Sequence, residues 1–125
     1  MDKASADKKV FALCADLCKT LTNSKRIEIL EILRAGERSA TELVDMLDIN
    51  KANLSQHMSL LRQRRLVNTR REGQSIFYSI GNQNFLKGFD IIRGVLYEQM
   101  NEDSKILEHS RTQVKVSKPK QRKVA

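Results

Sequence analysis

The chain has no tryptophan, two histidines, two cysteines and no run of 18 apolar residues among its 125. Each scarcity removes a class of protein. No segment is long and apolar enough to read as a membrane-spanning helix. His57 and His109 lie far apart in sequence. No nucleophile–base pattern or glycine-rich phosphate loop accompanies them, so nothing points to an enzyme. With only Cys14 and Cys18, a disulfide framework is not expected and reduced thiols are the default. The start, MDKASADKK, is polar and acid-bearing, with no apolar stretch after it. It does not read as a secretory signal, and a cytoplasmic location is expected. No internal repeat is visible.

What remains suits one domain. Hydrophobic residues make up 40% of the chain, including four Phe and two Tyr. They fill a modest core but leave helix faces uncovered unless the chain pairs. The formal charge of +8 is unevenly spread. Residues 111–125 contribute six basic side chains and no acid, which leaves +2 for the rest. The informative segment is Asn50 to Arg71, with Lys51, Arg62, Arg64, Arg65, Arg70 and Arg71 and no acid. Positive charge confined to one contiguous element is what a phosphate-facing surface requires.

Apolar spacing predicts a helix over Asp7 to Leu21, with Val10, Leu13, Cys14, Leu17 and Cys18 on a broad apolar face. Asn23 and Ser24 offer a cap for a second helix that stops at Gly36. Ser39-Ala40-Thr41-Glu42 reads as a capping box opening a short third helix. Asp48-Ile49-Asn50 breaks that helix and caps a fourth, over about Lys51–Arg64. Leu54, Met58 and Leu61 form its inward stripe, and Lys51, Ser55, Ser59 and Arg62 line the other side. Two short helices around a tight turn, the second polar and basic outside, describe a helix-turn-helix. Leu66–Arg71 and Gln74–Ile80 are strand-like, with Glu72-Gly73 between them as a tight hairpin turn. Asn82 opens a last long helix whose stripe of Phe85, Phe89, Ile92, Leu96 and Met100 is widened by Ile91 and Val95. Beyond about Ser110 the chain is polar, basic and contains the single proline, Pro119, and it is expected to be disordered.

The stretch Asn53-Leu-Ser-Gln-His-Met-Ser-Leu-Leu-Arg, then Leu66-Val67, then Arg70-Arg-Glu-Gly-Gln-Ser-Ile-Phe-Tyr-Ser-Ile80, resembles the ArsR–SmtB family of winged-helix repressors. The resemblance covers roughly residues 8–100. It implies a mainly α fold with a small β-hairpin wing, a dimeric winged helix-turn-helix. Residues 1–110 become the DNA-binding and dimerisation domain and 111–125 a basic disordered tail. It implies a homodimer whose first and last helices form the interface, and a transcriptional regulator bound to a pseudo-palindromic double-stranded DNA operator. The fourth helix would enter successive major grooves, and the wings would follow the backbone or minor groove. Repression would be steric and relieved by an effector. One departure is Arg65, where the family often has Gly at a position that commonly needs positive φ; Arg adopts that conformation at a cost of about 1 kcal/mol.

On this reading Lys51, Ser55 and Gln56 are candidate base and phosphate contacts, since Gln bonds adenine bidentately and Lys suits guanine or phosphate. Ser59 and Arg62 are candidate phosphate contacts. Arg70 and Arg71 at the wing are candidates for phosphates or a narrow minor groove. Against each stands a plain solvated surface. His57, beside Leu54, Met58 and Leu61, reads as a packed or partly buried histidine. The basic tail either adds salt-sensitive affinity or has no partner.

For sensing, the family's cysteine pair at the start of the third helix is replaced by Ser39 and Thr41. Its first Asp/His pair on the last helix is replaced by Asp90 and Ile92, the later positions near Asp103 and Ile106 lack His, and His109 alone does not complete a set. No metal site is expected at either place. Cys14 and Cys18, four apart on one helix, are either small core hydrophobes or a candidate thiol sensor. As a sensor they would take a soft ion such as trivalent arsenic, or a persulfide or polysulfide modification. The competing function is a winged-helix interaction module that binds a protein or RNA without sensing an effector.

Overall fold

The structure is a computed structural model that describes residues 2–114. Helix α1 (Lys3–Cys18) continues into a 3-10 turn (Lys19–Thr22), then come α2 (Ser24–Arg34), strand β1 (Arg38–Ser39), α3 (Ala40–Leu47), α4 (Lys51–Gln63), β2 (Val67–Glu72), β3 (Ser75–Ile80) and α5 (Gln83–Val114). Contacts divide the chain into a unit ending at Leu86 and a second beginning at Lys87.

The capping residues set most boundaries. Asp2 accepts the Ser5 amide at 2.8 Å and starts α1 at Lys3, four residues before the expected start at Asp7. The helix tightens after Cys18 because Thr20 is buried at 1% exposure and Arg26 clamps the turn. Arg26 donates from Nε to the Thr20 carbonyl at 2.9 Å and from Nη2 to the Lys19 carbonyl at 3.1 Å. Asn23 caps α2 by accepting from the Lys25 and Arg26 amides. The capping box forms as predicted, Ser39 Oγ accepting the Glu42 amide at 3.1 Å and Glu42 accepting the Ser39 amide at 3.2 Å.

The core of the first unit is built from Ile29, Leu30 and Leu33 of α2, Leu43 and Leu47 of α3, and Leu54, Met58 and Leu61 of α4. Leu66, Val67, Tyr78 and Leu86 complete it. Each fully buried aliphatic side chain contributes about 1.5–3 kcal/mol relative to exposure. Lys25 links α2 to α3 by donating to the Leu47 carbonyl at 3.2 Å, which satisfies an open helix end.

The sheet has three antiparallel strands in the order β1-β3-β2, so β3 is central. The two-residue β1, pairing Arg38 with Tyr78 and Ser39 with Phe77, was not visible in the sequence pattern because two residues show no alternation. The hairpin turn is shifted by one residue from the expected position. Glu72 pairs with Ser75, and Gly73-Gln74 forms the loop. Gly73 takes φ +61 at the first central position, as a II′ hairpin turn requires.

In α1 no residue is buried, and Val10, Phe11 and Leu13 are 53, 69 and 55% exposed. Leu17, and Leu21 in the turn that follows, are the ones that reach the core. In the second unit α5 leaves Ile91, Ile92, Val95, Leu96, Tyr97, Met100 and Ile106 exposed. The helix runs to Val114, four residues past the expected boundary at Ser110, since no proline or glycine interrupts it there. The rest of the basic tail, 115–125, lies outside the described residues. Among the described residues no helix is long and apolar enough to cross a membrane.

Candidate nucleic-acid interface

The geometry of α4 is fixed at both ends. Asp48 ends α3 in the left-handed region at φ 52, an excursion that Asp tolerates, and reverses the chain within three residues. Asn50 then accepts the Asn53 amide at 2.7 Å and opens α4. At the other end Arg65 takes φ 60. Its amide donates to the Arg62 carbonyl at 2.9 Å, and the Leu66 amide donates to Leu61 at 2.9 Å. These two bonds make a Schellman closure with arginine where glycine is usual. The buried Leu66 provides the accompanying apolar contact. Gly81 backs this turn. A Cβ there would sit 3.0 Å from the Arg65 carbonyl oxygen, so a side chain would crowd the close approach of hairpin base and helix end.

Between these ends α4 is sharply two-sided. Leu54, Met58 and Leu61 are 2, 1 and 0% exposed, while Lys51, Ser55, Gln56, Ser59 and Arg62 are all exposed. His57 is half-buried, and its pKa is held below the ordinary histidine value by burial and by the nearby Arg26 charge. An open depression of about 380 Å³ is lined by Ser59, Arg62 and Gln63. A second, of about 210 Å³, lies between helix and wing and is lined by Arg62, Thr69, Arg70, Arg71, Ile76 and Tyr78. Arg62 borders both. Gln63 and Thr69 are thus neighbours of the site that sequence reasoning passed over; Gln63 is simply the next α4 position after Ser59 at helical spacing.

Side chains alternate across a strand, and this separates the two wing arginines. Thr69 and Arg71 share the face of Tyr78 and Ile76, with Val67 and Ile80, that packs toward α4. Arg71 is exposed and makes no ion pair among the described residues. Arg70 lies on the other face, with Phe77 and Glu72. Its Nη2 meets Glu37 Oε1 at 2.6 Å, its Nε meets Glu37 Oε2 at 3.1 Å and its Nη1 meets Glu72 Oε2 at 2.8 Å.

Cys14 and Cys18 are free and exposed on α1. The expectation that they pack as core hydrophobes is not met within the protomer, because α1 turns Leu17 toward the core and leaves both cysteines exposed. Among the described residues no group of three or more His, Cys, Asp or Glu is placed to hold a metal ion.

Residues 23–69, from the α2 cap to β2, match the family of bacterial regulatory proteins described as arsR. The chain is 36% identical over 86 residues to the transcriptional activator HlyU of Vibrio cholerae, covering 69% of this chain and 79% of that one. It is 33% identical over 103 residues to the HTH-type transcriptional regulator Rv0081 of Mycobacterium tuberculosis, 82% of this chain and 90% of that one. The Rv0081 crystal structure superimposes with a TM-score of 0.71 at 32% identity, over 76% of this chain and 96% of that one. The solution structure of the homodimeric winged helix-turn-helix DNA-binding domain of Mb0332 from Mycobacterium bovis gives 0.70 at 25% identity, over 82 and 93%. The helix-turn-helix, the wing and the extent of these matches lead to one conclusion: the chain belongs to the arsR family of bacterial regulatory proteins.

Proposed function

We propose that this protein is a homodimeric, sequence-specific double-stranded DNA-binding transcriptional regulator, a repressor released from a pseudo-palindromic operator by an effector. The observation that carries the reading is the acid-free exposed face of α4, continued by Arg62 across the depression to Arg71. A two-fold dimer presents two such faces to inverted half-sites. α1 and α5 each leave apolar residues open to a second copy. Lys51, Ser55 and Gln56 read bases, while Ser59, Arg62 and Arg71 meet phosphates. The protein works by binding and occlusion rather than catalysis, in the cytoplasm where the chromosome is accessible. The Vibrio cholerae relative is named an activator, so a promoter–reporter assay with and without the regulator decides the sign: expression rises on deletion of a repressor.

Cys14 and Cys18 are the proposed sensor. Two exposed thiols one helical turn apart, beside Val10, Phe11 and Leu13, support this. Trivalent arsenic bound by both thiolates, or a polysulfide bridge, would place new bulk on the surface offered to the second copy.

Fluorescence anisotropy on the DNA upstream of its own gene, against scrambled DNA at fixed salt, tests both parts. The reduced protein binds the upstream duplex selectively, and Gln56→Ala costs about 1–3 kcal/mol on that duplex and little on the scrambled one. Equal losses on both would remove Gln56 as a base reader. Equal affinity for both duplexes in the parent protein would favour a module that binds protein or RNA. Treatment with arsenite or polysulfide abolishes selective binding in the parent protein and not in Cys14→Ser/Cys18→Ser; loss in both would assign the thiols no role.

A further inference from the structure

Arg70 has the charge of a DNA contact and the surroundings of something else. It projects from β2, an outer strand, opposite Phe77 on the central strand. Its guanidinium lies 4.5 Å from the centre of the Phe77 ring and reaches on to Glu37, the residue immediately before β1. The side chain therefore crosses the whole width of the sheet. It ends in a two-pronged pair with Glu37, and Glu72 takes the remaining nitrogen. Exposed ion pairs are individually weak, but a fork-to-fork arginine–carboxylate pair stacked on an aromatic ring is the geometry in which such a pair holds a fixed position. Two carboxylates around one guanidinium leave the cluster with a net negative charge, the wrong sign for a phosphate. Glu37 is held below the usual carboxylate range by the Arg70 bond, so the pairing persists at neutral pH.

The far end of the crossing matters. Ser39 is both the last residue of β1 and the cap of α3. Arg70 thus connects the wing to the start of the helix-turn-helix. Arg62, Arg70 and Arg71 all line the depression between helix and wing, but Arg71, one residue on and on the opposite strand face, has no carboxylate partner among the described residues.

We propose that Arg70 is a wing-positioning residue, a strap that fixes the hairpin against the segment leading into α3, and that Arg71 alone supplies the wing's phosphate contact. The contact half of this statement rests on the DNA-binding reading above; the strap half stands without DNA.

Two measurements on the full chain separate the halves. In the free protein, amide hydrogen exchange of β2 and β3 near the turn speeds up in Arg70→Gln and in Glu37→Gln, with α2 core amides unchanged. Arg71→Gln leaves the wing amides as they were. Wing exchange unaltered by Arg70→Gln overturns the strap, whatever the protein binds. On the upstream duplex, Arg71→Gln flattens the dependence of log affinity on log salt by about 0.9 per lost phosphate contact, twice that for a dimer. Arg70→Gln and Glu37→Gln each weaken binding by about fivefold or less, the range of one ion pair, with the salt slope unchanged. The loss in Glu37→Gln runs against simple electrostatics, since removing a carboxylate ought to favour DNA. Tighter binding in Glu37→Gln, or a flattened slope in Arg70→Gln, overturns the proposal by showing Arg70 to be a phosphate contact.

Discussion

Helices α4 and α1 are both two-sided in sequence, yet the protomer treats them in opposite ways. The apolar stripe of α4 is covered by its own chain, down to 0% exposure at Leu61, and its polar stripe is left open. The apolar residues of α1 are left open instead, with Phe11 at 69%. A stripe covered within one chain belongs to the folding of that chain. A stripe left in water belongs to something the chain has yet to meet, and exposed apolar surface on this scale marks an interaction face. The protomer therefore finishes the packing of α4 and leaves the apolar face of α1 unfinished.

The largest expected effect comes from charging that unfinished surface. Phe11→Glu and Leu96→Glu should each convert dimers to monomers in sedimentation velocity while leaving the far-UV dichroism of a folded helical protein. A dimer unperturbed by both would detach the open apolar residues of α1 and α5 from pairing. The matching change on the finished side, Leu61→Ala, should cost about 2–5 kcal/mol in denaturant unfolding, because it opens a cavity where no side chain can follow. If Phe11→Ala costs the unfolding of an isolated protomer as much, the contrast between the two helices collapses.

A smaller effect sharpens the reading of how α4 ends. Arg65 holds a left-handed conformation, so Arg65→Gly should stabilise the protein by about 1 kcal/mol in thermal unfolding, less whatever the added unfolded-state freedom takes back. A destabilised variant would mean that the arginine side chain, rather than the turn, holds that corner. The smallest effect concerns His57. Its folded pKa lies below the ordinary value of 6.5, so the unfolded chain binds the proton more readily. The stability contribution is intact above about pH 6.5 and falls as pH drops toward the depressed folded value. His57→Gln should flatten the acid side of the stability–pH profile relative to the parent protein. Identical profiles would show that His57 does not titrate differently on folding.

Much of the candidate site is legible in the sequence. Ser39 with Glu42, Asn50 before Lys51, and the 4-3 spacing of Leu54, Met58 and Leu61 are local signals, because a cap and a helical stripe are settled within a few residues. The Arg65 anomaly was legible only through the family resemblance, as an arginine at a helix end where glycine is usual. The hairpin was found but misplaced by one residue. Either Glu72-Gly73 or Gly73-Gln74 is a plausible turn locally, and the β2–β3 register that chose between them is a pairing across strands. The strand β1 escaped for a like reason: Arg38 and Ser39 become a strand only by lying beside Phe77 and Tyr78, nearly forty positions away.

By itself, then, the sequence determined the order of elements, the caps that start them, the covered face of α4 and the acid-free character of the opposite face. These depend on residue type and short-range period, which the chain carries with it. The tertiary structure decided which of two adjacent arginines shares a strand face with Tyr78 and Ile76 and which is paired with Glu37. Arg70 and Arg71 are indistinguishable in composition and charge. They differ because a strand turns successive side chains to opposite faces and because folding brings Glu37, 33 residues away, onto one of those faces. It also decided that Cys14 and Cys18 stand in the open, since an apolar stripe says that a residue seeks cover and only the fold says whether its own chain provides it.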